Sequence, residues 1–194
     1  RAGDVNGDGF DDLLVGASGA DPNGSSSGTT YVVFGGNFTS AVTHLGDANA
    51  NTLTGTSGAN VFNGRQDNDT LIGGGGADVQ RGGQGNDVFG ISDLTFQRIV
   101  GGTGSDTLRM DGSGVTLDLT TLSDNKLTDI ETIDIRGSGA NTLTLNQQEV
   151  LNLSGSSNTL TVLATADDTV NIGSGWTSSG HQAASSGLAS VYTQ

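Results

Sequence analysis

Residues 46–90 divide without remainder into five nonapeptides: GDANANTLT, GTSGANVFN, GRQDNDTLI, GGGGADVQR and GGQGNDVFG. Each opens with glycine. The sixth position is Asn51, Asn60, Asp69, Asp78 and Asp87 in turn, and the eighth is Leu53, Phe62, Leu71, Gln80 and Phe89. After ten intervening residues a sixth unit follows, GGTGSDTLR (101–109), with Asp106 and Leu108. A fixed period of this kind marks a chain built from stacked copies of one small unit. Six glycine-rich residues make a turn and feed a three-residue strand, whose middle side chain points inward. Two units then complete one coil of about 18 residues.

Beyond residue 110 the period loosens but short alternating runs continue: 115–119, 132–135, 141–145, 158–162 and 168–172. Each reads as a strand with one face buried. Residues 146–151 read as a helical turn, and the Ser-, Ala- and Gly-rich stretch after 176 as a flexible or truncated tail. Composition supports this reading. Glycine supplies 33 of 194 residues and proline only Pro22, so tight turns are frequent and strands uninterrupted. Of 21 acids only Glu131 and Glu149 are glutamate. An aspartate-rich, glycine-rich chain suits turns and hard-cation loops, where a short carboxylate stays close to the backbone.

The N-terminal stretch differs. Asp4, Asn6, Asp8 and Asp12 stand at positions 1, 3, 5 and 9 of a loop, with Gly9 at position 6 and Phe10 at position 7 to offer its carbonyl. Oxygens at this spacing fit calcium. Position 12 is Val15 rather than an acid, which argues against an EF-hand. An apolar run, Leu13–Ala17, a polar loop and a second run, Tyr31–Gly35, complete the segment. It resembles the FG-GAP repeat, one blade of an integrin-α-type β-propeller. A propeller needs several blades, so either others precede it or this hairpin docks on the remainder.

The nonapeptides resemble the RTX calcium-binding repeat of secreted bacterial proteins. That resemblance implies an all-β fold: a right-handed parallel β-roll, or β-solenoid, with an N-terminal propeller-type β-hairpin. The expected divisions are 1–40 for the FG-GAP repeat, 46–109 for the roll, 110–176 for a degenerate solenoid or cap, and 177–194 for the tail. Alternate turns stack on one side, so Asn51, Asp69, Asp87 and Asp106 share one side and Asn60 and Asp78 the other. Calcium would bridge neighbouring turns, taking the carboxylates and turn carbonyls. The candidate ligands are Gly64, Gln66 and Asp69; Gly73, Gly75 and Asp78; Gly82, Gln84 and Asp87; Gly101, Thr103 and Asp106. The strongest pairs are Asp69 with Asp87 and Asp87 with Asp106. Asn51 and Asn60 lack the charge, Gln80 replaces a large apolar residue and Asp67 a turn glycine. The end of the chain, with Trp176, Gly180, Gly187 and Tyr192, also resembles the module that follows RTX repeats in large adhesins.

These features bound the function. A net charge of −14 argues against nucleic acid and anionic membrane as partners, and no apolar run is long enough for membrane insertion. Cysteine is absent, which excludes disulfides, thiolate zinc sites and thiol nucleophiles. His44 and His181 are the only histidines, and no nucleophile elbow, P-loop or zincin motif occurs. No catalytic residue is assigned and no enzyme is expected. The chain opens at Arg1 and ends in a strand-like VYTQ, which we read as a fragment. The expectation is an extracellular, secreted or cell-surface calcium-binding module of a bacterial adhesin. Type I secretion precedes folding on calcium, and any glycan or protein ligand is held by other parts of the full-length protein. The alternatives are an accessory tail of a secreted hydrolase or toxin, and a glycan- or ice-binding module, the last from stacked Thr142/Thr144 and Thr159/Thr161.

Overall fold

The computed structural model describes residues 13–18, 28–33, 42–154, 158–175, 177–184 and 187–193, the last two stretches as backbone. The chain forms two bodies, Arg1–Ala41 and Val42–Gln194.

In the first body, β1 (Leu13–Ala17) and β2 (Thr29–Val33) pair antiparallel, Leu13 opposite Val33 and Ala17 opposite Thr29. Leu13, Leu14, Val15, Tyr31, Val32 and Val33 all stay exposed. A strand sends alternate side chains to opposite faces, and two strands alone cover neither face.

The second body opens with β3 (His44–Leu45), β4 (Thr52–Thr54), β5 (Val61–Gln66), β6 (Thr70–Ile72), β7 (Val79–Gln84), β8 (Val88–Ile91), β9 (Arg98–Thr103) and β10 (Thr107–Met110). Successive strands alternate between two parallel sheets. Thr52, Thr70, Val88 and Thr107 stand in one register line, and Phe62, Gln80 and Ile99 in another. Coil repeats here are 18 or 19 residues, as the nonapeptide spacing predicts. From β5 to β10 each strand buries an inward residue: Phe62, Leu71, Gln80, Phe89, Ile99 and Leu108 are wholly inaccessible, while Leu53 of β4 is partly buried. Burying one such apolar side chain stabilises by about 1.5–3 kcal/mol, but the core is mostly a single column behind each sheet.

At β10 the coil changes. β11 (Thr116–Asp118), β12 (Leu127–Thr128), β13 (Thr132–Asp134), β14 (Thr142–Thr144), β15 (Thr161–Ala164) and β16 (Thr169–Asn171) follow, with α1 (Gln147–Leu153) between β14 and β15. Strands β13 and β15 extend the sheet of β10, and β12 extends that of β9. A third parallel sheet, β11–β14–β16, is inserted between them. The repeat lengthens to 25–27 residues to accommodate it. Helix α1 forms where a helical turn is expected. Its N-cap Asn146 accepts the N–H of Glu149, and Leu153 accepts the N–H of Ile130 at 3.0 Å.

Two expectations need correction. The roll and the solenoid are not separate bodies, because one eight-stranded sheet runs from β4 through β10 to β15. The stretch expected as a flexible or truncated tail carries β17 (Thr177–Ala184) and β18 (Gly187–Thr193), an antiparallel pair whose β18 joins β15. Serine- and alanine-rich residues read as loop from composition, but the open edge of β15 supplies pairing partners for their backbone. Residues 91–100 end β8, turn and start β9, making a half-coil one residue longer than a nonapeptide, so Asp106 follows Asp87 at 19 residues.

Within the turns, Asp67 has φ of 69° and Gly85, one coil later, φ of 128°. A side chain at Gly85 would run into the Asp67 carbonyl. Left-handed backbone costs a non-glycine residue about 1–3 kcal/mol. Gly85→Ala is therefore expected to destabilise the calcium-loaded fold by at least about 2 kcal/mol, and Asp67→Gly to be neutral or stabilising, measured by thermal unfolding.

Candidate metal centre

The sixth position of each turn holds the coils together. Asp69 Oδ1 accepts the N–H of Asn51 at 2.8 Å, Asp87 Oδ1 that of Asp69 at 2.7 Å, and Asp106 Oδ1 that of Asp87 at 2.7 Å. On the opposite side Asp78 Oδ1 accepts the N–H of Asn60 at 2.8 Å. Each aspartate thus spends one oxygen on the preceding coil. The turns stack on two sides in the register the period predicts: Gly83 opposite Gly102, and Gln66, Gln84 and Thr103 in line.

The second oxygen tests whether these turns fit a cation. Among the described residues, the buried side-chain polar atoms without a hydrogen-bond partner are Oδ2 of Asp69, Asp87 and Asp106 and both amide atoms of Gln80. All three aspartates are at most 1% exposed. An unpaired buried carboxylate oxygen is costly, and three recur at the same turn position. Each faces the first glycine of its own turn, where the carbonyl of the next turn also arrives. A Cβ on Gly64 would meet Asp69 Oδ2 and the Gly82 carbonyl, and one on Gly82 would meet Asp87 Oδ2 and the Gly101 carbonyl. Carboxylate and carbonyl oxygens converging without a donor are what a hard cation requires. No three acidic or histidine side chains among the described residues form a metal-binding group, so a cation here takes one carboxylate per turn together with backbone oxygens.

Electrostatics agree. Burial raises the carboxyls of Asp69, Asp78 and Asp87 above their ordinary value, and neighbouring acids add to the shift. Burial pushes Asp106 up to about 7, with Asp87, Glu131 and Asp129 contributing. Parallel strands stack about 4.8 Å apart, and two bare carboxylates at that spacing repel by about 3–4 kcal/mol at an effective dielectric of about 20.

The asparagine turns close on themselves. Asn51 Oδ1 accepts the N–H of Asp47 at 2.7 Å, and Asn60 Oδ1 that of Thr56 at 2.8 Å. In the four aspartate turns the second residue is left-handed: Arg65, Gly74, Gly83 and Gly102 have φ of 87°, 79°, 119° and 110°. The Asp78 turn is followed by one carrying Asp93 and Thr95, whose hydroxyl donates to the Gly76 carbonyl at 3.0 Å. Gln80 is fully buried in line with Phe62 and Ile99, and its amide nitrogen faces Gly73 beside Asp78 Oδ2. Gly75, the third position of that turn, lies beside Asp93. The N-terminal candidates Asp4, Asn6, Asp8, Phe10 and Asp12 lie outside the described residues.

Sequence reasoning missed the ladder's continuation. Glu131 Oε2 accepts the N–H of Asp106 at 2.8 Å. In the cap, Asn141 Oδ1 accepts the N–H of Val115 and Asp168 Oδ1 that of Asn141, both at 2.9 Å. The coil lengths there differ from 18, so the period no longer reveals them. An Asn or Asp just before an alternating run was the available signal.

Fold and turns together define a parallel β-roll whose stacked turns take hard cations. Comparison with family models goes one step further. Residues 45–80 and 54–89 match the RTX calcium-binding nonapeptide repeat, and residues 1–33 match the FG-GAP repeat. The RTX repeats are calcium-binding motifs, so calcium is the cofactor. No curated protein and no solved structure matches the chain.

Two outcomes are expected. Asp87→Ala should weaken calcium binding at least about tenfold, since loss of even an outer-shell partner costs 10–100-fold. Asp78→Ala should cost less and Asn51→Ala least, read by calorimetric titration. An Asp78→Ala as harmful as Asp87→Ala would contradict the stacking register. The second outcome concerns pH. In the cation-free fold the aspartates sit above their ordinary value, so the folded form holds more protons than the unfolded chain. Its stability is full below the ordinary carboxylate range and declines as pH rises to about 7. Metal-stripped protein should show more β structure by circular dichroism at about pH 5 than at about pH 8, and calcium-loaded protein should melt higher at about pH 8 than at about pH 5.

Proposed function

We propose that the chain is an extracellular calcium-binding structural module of a large secreted bacterial adhesin or surface protein, and that it acts without catalysis. The carrying observation is the set of three stacked aspartates whose second oxygens are buried without a partner. Such a roll resists closure in a calcium-poor cell interior and closes outside, where calcium neutralises the turns. That behaviour suits type I export of an unfolded chain, with sites of the weak extracellular class, about 10⁻⁴–10⁻³ M.

An FG-GAP repeat beside RTX repeats favours an adhesin over the accessory tail of a hydrolase or toxin. A non-catalytic reading is supported by His44, which stacks on Phe62 with ring centroids 4.6 Å apart and lies 2.9 Å from Thr43 Oγ1. Both contacts are those of a packing residue. The threonine pairs do not favour ice binding. Thr142 and Thr144 lie in β14 of the three-stranded sheet and Thr161 in β15 of the eight-stranded one; Thr142 stands between Thr116 and Thr169, but Thr144 stands between Asp118 and Asn171, so the pairs do not form one flat threonine face. No described helix is long and apolar enough to cross a membrane. Glycan or protein ligands are then tasks for other parts of the full-length protein.

Far-UV circular dichroism of the chain, with chelator and with millimolar calcium, tests the proposal. A gain of β signal on calcium addition is expected. Magnesium should substitute poorly, because it demands a tighter octahedral shell. A spectrum unchanged between chelator and calcium would overturn folding on export.

A further inference from the structure

Three aspartate oxygens are orphaned, but the repeats account for only two junctions. Asp69 Oδ2 faces the junction with the turn that begins at Gly82, and Asp87 Oδ2 the junction with the turn that begins at Gly101. Asp106 closes the last nonapeptide, is wholly inaccessible, and its Oδ2 has no partner. That oxygen faces away from the Asp87 junction and toward the chain that follows.

The next coil meets it there. Leu127 pairs with Ile99 and Thr128 with Val100, which brings Asp129 beside Gly101. Thr132 pairs with Thr107, which puts Glu131 at the rank of Asp106. A Cβ on Gly101 would meet the Asp129 carbonyl and Asp106 Oδ2, as the one on Gly82 meets the Gly101 carbonyl and Asp87 Oδ2. Glu131 Oε2 accepts the Asp106 N–H, as Asp106 Oδ1 accepts that of Asp87. The backbone pattern also repeats: Thr132 N–H donates to the Asp106 carbonyl as Thr107 N–H donates to that of Asp87. Only Ile130 stands where residues 102–105 make the rim of the preceding turn. The turn is shortened, its sequence carries no glycine, and Asp129 supplies the left-handed residue with φ of 59°.

We propose that the turn Asp129–Ile130–Glu131 closes a third calcium site with Asp106, one coil beyond the last nonapeptide. Asp106 and Glu131 supply carboxylate oxygens and Asp129 a backbone carbonyl, and water fills the side left open by the shortened rim. The inference rests on the calcium-binding reading of the roll and extends it past the repeats. Glu131 immediately precedes β13, so this site ties the first strand of the longer coil to the roll.

The test compares calcium binding by the full chain and by Glu131→Gln, which keeps an oxygen for the Asp106 N–H but removes the charge. Calorimetry should show one fewer calcium equivalent, or one binding step weakened at least about tenfold, with an unchanged circular dichroism spectrum at saturating calcium. A parent that binds calcium and a variant that matches it in number and affinity would overturn this site alone. A parent that binds no calcium would overturn it together with the reading it rests on. Should Glu131→Gln fail to fold, crystals of the parent grown with calcium decide the matter by anomalous scattering. A peak is expected about 2.3–2.6 Å from Asp106 Oδ2 and the Asp129 carbonyl. Peaks at the two repeat junctions and none here would overturn the site.

Discussion

The roll depends on stacking one carboxylate per coil without a side-chain counter-charge. The same residue creates the problem and part of its solution. One oxygen of each sixth-position aspartate binds the N–H of the preceding coil, which fixes the register between coils. The other is drawn inside the turn and left bare. A thick hydrophobic core would absorb that cost, but here most strands contribute one inward side chain, and only β8 and β10 bury two apolar ones. Among the turn residues of the roll Leu94 and Phe96 reach the core, and ordering the others still costs entropy. The closing interaction is therefore ionic, and the fold of the roll is conditional on calcium.

The cap solves the same stacking problem in another way. Asp168 stands in a comparable ladder, accepting from Asn141. Its other oxygen accepts from the N–H and hydroxyl of Thr165, both at 2.8 Å. Burial works against its charge, yet these hydrogen bonds prevail and hold its carboxyl below the ordinary value. Asn141 is neutral, and its amide nitrogen donates to the Ile135 carbonyl. The cap's longer coil also has three sheets, so Leu117, Ile133, Ile135 and Leu143 can be fully buried together. Chemistry and packing change at the same place, around β10.

The repeat region was legible because its period is short and strict. A period of nine leaves the side of each turn and the inward residue of each strand no freedom, so Asp69 and Asp87 fall into line from spacing alone, and Asp106 joins them once residues 91–100 are counted as one longer unit. The third sheet was not legible. Its strands read correctly as alternating runs, but alternation says which face is buried and not which partner strand lies alongside. The antiparallel pair at 177–193 was hidden because small polar residues pair through their backbone and leave little pattern. Glu131 was hidden for a different reason. Shortening its turn to three residues removed both the glycine signature and the count of 18, while the strand pairing on either side kept its position in space.

Arginine also neutralises aspartate in this chain, and where it does so explains why it cannot replace calcium. Arg109 pairs with Asp111 and Arg136 with Asp134, on neighbouring strands at or beyond β10. These side chains lie on the outer surface, with room to extend. The turn interior has no such room. A Cβ at Gly64, Gly82 or Gly101 already meets an aspartate oxygen and the carbonyl of the next coil. No side chain can start from those positions, and one entering from elsewhere would have to part the backbones whose hydrogen bonds set the register. Compensation must come from a charge without a covalent tether, small enough to sit between adjacent coils and satisfied by oxygens alone. The close packing that makes the roll a repeat thus also makes it dependent on a free cation.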